Sequence, residues 1–288
     1  MRIVIPNERH IVGIIRRALD LPSVGVIRPL RDGADHWAFD VNGLFIARVL
    51  KERDEHTRGA LEREAALLIM LARVSPLPVP QVVATDPSAG LMVHRRIPGT
   101  PLFERPAADP HAIMDPLADF VAAIHGVPLE TVEHLVQRDE SALNGYVTEA
   151  AALMQQIAAY LTSAQRTRVE LFLGTPPPPA SLQSTFCHND LGAEHILASD
   201  DRSELTGVID WSDAALADPA VDIGRLLRDF GFGVAEAALR RASHEETTLV
   251  RALFYARCAL IEDLAYGLET SRPQYVAHAL GRFDETFS

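Results

Sequence analysis

The sequence predicts an α+β chain in two lobes, a small strand-rich lobe at the amino end and a larger, mainly helical lobe after it. Short apolar runs broken by turn formers fill the first part, whereas the remainder shows apolar residues recurring at helical spacing. Between the two, Arg95-Arg96-Ile97-Pro98-Gly99-Thr100-Pro101 has the composition of a hinge exit and should break regular structure. A length of 288 residues suits two lobes better than one, with 1–94 forming the smaller lobe and 95–288 the larger.

Taken in order, residues 8 to 19 read as an amphipathic helix. Residues 25–30, 36–41 and 44–50 read as strands, joined by Arg31-Asp32-Gly33-Ala34-Asp35 and by the Asn42-Gly43 hairpin turn. A helix over 57–73 places Leu61, Ala65, Leu68 and Ala72 on one face and stops at Ser75-Pro76. Strands near 81–84 and 90–94 complete the lobe. Further on, Leu117, Phe120, Val121 and Ile124 mark one buried helix face, and Ile223, Leu226, Leu227 and Phe230 another, with Asp222 as its expected N-cap after the Asp218-Pro219 turn. Pro176 to Pro179 is a short stiff connector.

Composition excludes several classes. No run of about 18 apolar residues and no charged-then-apolar leader is present, so a cytoplasmic, unprocessed protein without membrane contact is expected. Cys187 and Cys258 are too few for a disulfide framework and should be buried thiols. A net charge of −12 argues against nucleic acid as a partner and is compatible with a cationic ligand. Lys51 is the only lysine in the chain.

The chemistry concentrates in Phe186-Cys187-His188-Asn189-Asp190-Leu191-Gly192-Ala193-Glu194-His195-Ile196-Leu197 and in Gly207-Val208-Ile209-Asp210-Trp211. Residues 196–197 and 205–209 read as two short strands around the turn cluster Ser199 to Ser203. His195 enters the first and Asp210 leaves the second, so a hairpin sets them about 5 Å apart, one strand spacing. Phosphoryl transfer needs a carboxylate for the proton of the attacking hydroxyl, together with ligands that hold Mg²⁺ against nucleotide phosphates. Asp190, His195 and Asp210 supply these parts.

This segment resembles the catalytic loop of the aminoglycoside and macrolide phosphotransferases, antibiotic kinases with a protein-kinase-like fold. Their pattern is H-x-D-x-x-x-x-N followed by an I-D strand end. His188 and Asp190 match it, and His195 stands where Asn is commoner, a change that some branches of the family share. The resemblance implies Asp190 as catalytic base, His195 and Asp210 as Mg²⁺ ligands, and ATP or GTP as phosphoryl donor. It is specific over 186–224, moderate over 43–101 and weak elsewhere.

In that family a basic residue in the third strand pairs the nucleotide phosphates and is held by a helix Glu. Arg48 and Lys51 both qualify by charge, and their odd separation puts them on opposite faces. The stretch Phe45-Ile46-Ala47-Arg48-Val49-Leu50 resembles the family strand at Arg48, and counting back from Leu77-Pro78-Val79-Pro80 makes Glu64 its partner. Gly33 would let backbone amides approach phosphates, and the backbone at Met92 and His94 would meet the base edge. Asp213, Asp229, Glu262 and Asp263 fall where the family binds its acceptor. Arg228, where 2'' kinases tend to carry Glu, departs from the aminoglycoside pattern, while the Arg48 strand and Ile97–Pro101 look as much like macrolide kinases. An aminoglycoside is therefore the first expected acceptor and a macrolide the second, with choline- or homoserine-type alcohols open. Two rivals from other classes are a non-catalytic kinase-like binding module and a metal-dependent hydrolase using His188, Asp190, His195 and Asp210 as ligands.

Overall fold

The computed structural model describes residues 8–20, 26–32, 36–141 and 143–288. Gly33 lies outside them. The chain begins with α1 (Glu8–Ala18), β1 (Ile27–Asp32), β2 (His36–Val41), β3 (Phe45–Leu50), α2 (Glu55–Val74), β4 (Val82–Asp86) and β5 (Leu91–Arg95). These strands make one antiparallel sheet in the order β1-β2-β3-β5-β4. Asn42 and Gly43 take the left-handed conformations, φ 59° and 71°, that a tight hairpin turn between twisted strands requires.

Strand alternation divides this sheet into two faces. Phe39, Val41, Ala47, Val49, Leu91 and Val93 pack beneath Ile11, Ile14 and Ile15 of α1. The intervening residues turn to α2, so Met92 joins the core with Leu61, Leu68 and Leu71, and Arg48 faces the same way. Helix α2 starts earlier than its pattern suggested, because Asp54 accepts the Thr57 N–H at 2.8 Å as an N-cap. Leu71 replaces the exposed Ala72 on its buried stripe, and Glu64 is buried between Leu61 and Leu68.

The expected break at 95–101 is shorter than the sequence suggested. Thr100–Pro101 forms β6, which pairs with β9 (Ile196–Ala198), and β9 pairs with β10 (Leu205–Val208). Between β6 and β9 in the chain come α3 (Pro110–His125), α4 (Leu129–Val132), β7 (Gln137–Arg138), α5 (Leu143–Ile157), α6 (Ser163–Leu173) and β8 (Thr185–Cys187). After β10 follow β11 (Ala215–Ala217), α7 (Ala220–Phe230), α8 (Phe232–Arg241), α9 (Thr247–Glu269) and α10 (Pro273–Thr286). Strand β11 joins β7 and β8 in a third small sheet.

Both short sheets grip the same segment. Residues 188–195 leave β8 and enter β9, while 209–214 leave β10 and enter β11. A core of Phe120, Phe186, Trp211, Ile223, Leu226 and Leu227 supports these loops from below. Helix α7 sits close on α9 because Gly224 has no side chain: a Cβ there would stand 2.7 Å from the Ala252 carbonyl oxygen. Cys187 and Cys258 are both buried free thiols, as composition suggested. No helix among the described residues is long and apolar enough to cross a membrane.

Candidate active site

The loop at 188–193 is fixed by two carboxylates of α7. Asp222 accepts the His188 N–H at 2.9 Å and the Asn189 N–H at 2.8 Å, and Asp229 accepts the Ala193 N–H at 2.7 Å. Seven residues separate them, two helical turns, so both project from one face. Asp222 is therefore not the N-cap its position suggested. The helix begins at Ala220, whose N–H is taken by Asp218 at 3.0 Å. His125 also contacts Asp222 through Nε2 at 3.0 Å. Burial alone would raise Asp222, but the bonds and charge of His125 and His188 hold its carboxyl below the usual carboxylate range.

His188 is wholly buried and its ring is fully used. Nε2–H donates to the Ile209 carbonyl at 3.0 Å, and Nδ1 accepts the Asp190 N–H at 3.3 Å. Burial keeps it neutral by lowering its pKa. With both nitrogens committed to backbone, His188 cannot converge with His195 on an ion, which removes the ligand set of the hydrolase alternative.

His195 differs. Its Nδ1–H donates to the Asp190 carbonyl at 2.8 Å, which leaves the Nε2 lone pair facing Asp210 Oδ2 at 3.7 Å. The Ile209 N–H bonds the His195 carbonyl at 2.9 Å, so the hairpin sets the two side by side as its pattern required. Burial lowers the imidazole pKa, yet the carboxylates of Asp190 and Asp210 outweigh it and the net shift is upward. Asp210, at φ 65°, is held low by Arg48 and His195 against burial. One carboxylate and one imidazole nitrogen facing a shared gap in a negative field form a donor set that suits a divalent cation also bound by phosphates and water.

The Arg48–Glu64 pair is formed, with Arg48 also 3.3 Å from His36 Nδ1 and 4.0 Å from Asp210 Oδ1. Lys51 lies past the end of β3. Met92 and His94 do not offer a free backbone edge, because β5 is paired on both sides, with β3 and with β4. The sequence assigned five strands but not their order, and this one is interior to the sheet. His94 is buried, and desolvation lowers its pKa to about 4.

On the opposite side Asp190, Asn189, Asp213, Arg225, Tyr255 and Glu262 enclose part of a pocket of about 290 Å³. Asn189 Oδ1 is buried there without a hydrogen-bond partner. Asp229 and Asp263, expected in this cleft, are instead drawn onto Arg228. That guanidinium contacts Asp229 at 2.7 Å, Asp263 at 2.9 Å and Glu194 at 3.3 Å. Asp229 is fully buried as a result. Burial pushes Asp263 up to about 7 although Arg228 opposes it. Arg225 was passed over as a cleft residue; its position on the Asp222–Asp229 face, readable at helical spacing, could have marked it.

Comparison with known proteins places this arrangement. Residues 26–254 match the profile described as the phosphotransferase enzyme family. Viomycin phosphotransferase of Streptomyces vinaceus is 26% identical over 198 residues, 63% of this chain and 69% of its own. Aminoglycoside 3'-phosphotransferase of Streptomyces fradiae is 26% identical over 228 residues, 73% of this chain and 82% of its own. The GDP complex of wild-type aminoglycoside 2'-phosphotransferase-IIIa superposes with a TM-score of 0.71 at 22% identity, covering 98% of this chain and 99% of that one. Macrolide 2'-phosphotransferase type I does so with a TM-score of 0.64 at 18% identity, covering 98% and 99%. The kinase-like fold expected from the sequence is thus the fold observed.

Two outcomes test the scaffold. Asp222→Asn turns an amide N–H toward a backbone donor and should cost about 1.5–3 kcal/mol, the range for hydrogen bonds to a charged group; equal urea midpoints for the two proteins would remove Asp222 as the anchor. Stability should also decline as pH falls. His94 and His244, both at about 4 through burial, stay neutral in the folded chain while an unfolded imidazole takes up its proton near pH 6.5. Their contribution is complete above pH 6.5 and is lost between about 6.5 and 4, a trend that denaturation at stepped pH will show or refute.

Proposed function

The chain belongs to the phosphotransferase enzyme family, and from that premise we propose that it carries the γ-phosphoryl group of ATP or GTP to a hydroxyl of a small molecule in an Mg²⁺-dependent reaction. The observation that carries the proposal is the division of labour between Asp190, which faces the pocket, and the His195–Asp210 pair, which faces away from it toward Arg48. In this reading 1–94 hold the nucleotide and 95–288 supply the catalytic loop and the acceptor cleft.

Asp190 accepts the acceptor's hydroxyl proton as its oxygen bonds to the γ-phosphorus. The bond from that phosphorus to the β,γ-bridging oxygen breaks, and the nucleoside diphosphate leaves with the electron pair. Arg48, kept in place by Glu64, pairs the phosphates with a guanidinium that never loses its charge. Asp210 and the Nε2 of His195 would hold Mg²⁺, which when bound neutralises phosphate charge. His188 orients the loop by joining Ile209 to the Asp190 backbone.

Asp213 and Glu262 line the pocket beside Asp190, which favours an amine-bearing acceptor. The names of the relatives agree with that choice. An aminoglycoside is the first class and a macrolide the second; turnover of a panel of both with ATP and with GTP decides between them.

Asp190→Asn should lower turnover by about 10²–10⁴-fold, the usual range for a lost general base, and leave nucleotide affinity nearly unchanged. Near wild-type single-turnover rates would end its role as base. His195→Ala should raise the Mg²⁺ concentration needed for half-maximal rate, and His195→Asn should recover part of the loss because an amide oxygen can also bind the ion. Unaltered metal dependence in both variants would make His195 a packing residue.

A further inference from the structure

Arg225 has no part in the chemistry above, yet it stands inside the acceptor pocket. It lies three residues after Asp222 and four before Asp229, on the face of α7 that holds the loop. Its Nε is 3.6 Å from Asp190 Oδ1, beyond hydrogen-bond reach. Among the described residues no hydrogen bond and no second ion pair engages this guanidinium. Arg228, one turn on, shows the contrast, since three carboxylates surround it. Position on the helix thus separates a structural arginine from one whose Nη groups are left for a ligand.

The rest of the pocket asks for a partner of mixed charge. Asp213 and Glu262 present negative charge, and the orphaned Asn189 Oδ1 needs a donor. Burial raises both Tyr146 and Tyr255, so these phenols keep their protons. A purely cationic acceptor would pair with Glu262 but crowd its charge against Arg225, and would bring no hydrogen-bond acceptor to a guanidinium that Asp190 reaches only at 3.6 Å. We infer that the acceptor is amphoteric, with an amine toward Asp213 and Glu262 and a carboxylate beside the accepting hydroxyl that pairs with Arg225. This rests on the reading of Asp190 as the base, and among amine-bearing acceptors it favours those that also carry an acid group over aminoglycosides and macrolides, which carry none.

Muramic acid and glucosamine test it, because they share the ring and the amine and differ by a lactyl ether that replaces the 3-hydroxyl and carries a carboxylate. Calorimetry on the wild-type protein should find muramic acid bound at least about tenfold more tightly, the effect of one charge-assisted pair. Arg225→Gln should bring the two sugars within about twofold, and Arg225→Lys should keep part of the preference, since charge stays but the bidentate fork is lost. Equal affinities in the wild type, absence of muramic acid binding, or a preference that survives Arg225→Gln overturns the inference. Binding is read here without turnover. A fully active Asp190→Asn enzyme would overturn the assignment of the base and would not alter this comparison.

Discussion

Two buried carboxylates on one helix, accepting backbone N–H groups from the loop opposite, are the constraint on which this molecule depends. Asn189 sits at φ 68° and Asp210 at φ 65°, left-handed conformations that cost a non-glycine residue roughly 1 kcal/mol or more each. Such loops need to be held. Asp222 and Asp229 hold the first through three N–H groups, and His188 ties it to the second through the Ile209 carbonyl. Helix α7 can serve as a rigid bar because Gly224 lets it seat against α9 and because Arg228 neutralises Asp229 from behind.

That neutralisation also explains why overall charge is a poor guide to the cleft. A net charge of −12 invites a picture of an acidic groove filled with carboxylates. Several of those carboxylates are internal: Asp229, Asp263 and Glu194 on Arg228, Asp218 on Arg251 at 2.6 Å, and Asp222 against backbone. What the pocket presents is smaller and mixed, two acids and one arginine around Asp190. Selectivity follows from this local set, because buried pairs project little field into solvent.

The legible parts of the sequence were those set by neighbours in the chain. The Asn42-Gly43 hairpin, the Ile196–Val208 hairpin and the pairing of His195 with Asp210 follow from turn chemistry and alternation over a few residues. The Arg48–Glu64 pair was reached only through resemblance, since nothing local links a strand to a helix sixteen residues on. Asp222 was misread because an acidic residue at a helix start has the same appearance whether it caps its own helix or reaches another loop. Met92 and His94 were misread for a related reason: strand identity was local, but the interior place of β5 in the sheet was not. Asp229 and Asp263 passed as cleft residues because a sequence shows charge without showing which arginine already answers it.

Seen along its length, the site is a row with an arginine at each end, two carboxylates inside them and His195 in the middle. Arg48 stands 4.0 Å from Asp210, Asp210 is 3.7 Å from His195, His195 is 3.4 Å from the carboxylate of Asp190, and Asp190 is 3.6 Å from Arg225. Each gap exceeds a normal hydrogen bond, so no pair is closed. An arginine at each end offsets the carboxylate beside it, and the imidazole of His195 stands between the two like charges of Asp190 and Asp210. The two ends differ in their support, and this gives the row its direction. Arg48 is clamped by Glu64 and keeps a fixed place at the sheet, whereas among the described residues Arg225 makes no hydrogen bond and feels Asp190 and Glu262 only at longer range. A ligand entering beside Asp190 therefore competes with an arginine that no hydrogen bond clamps, and the end that yields is the end that faces the acceptor pocket.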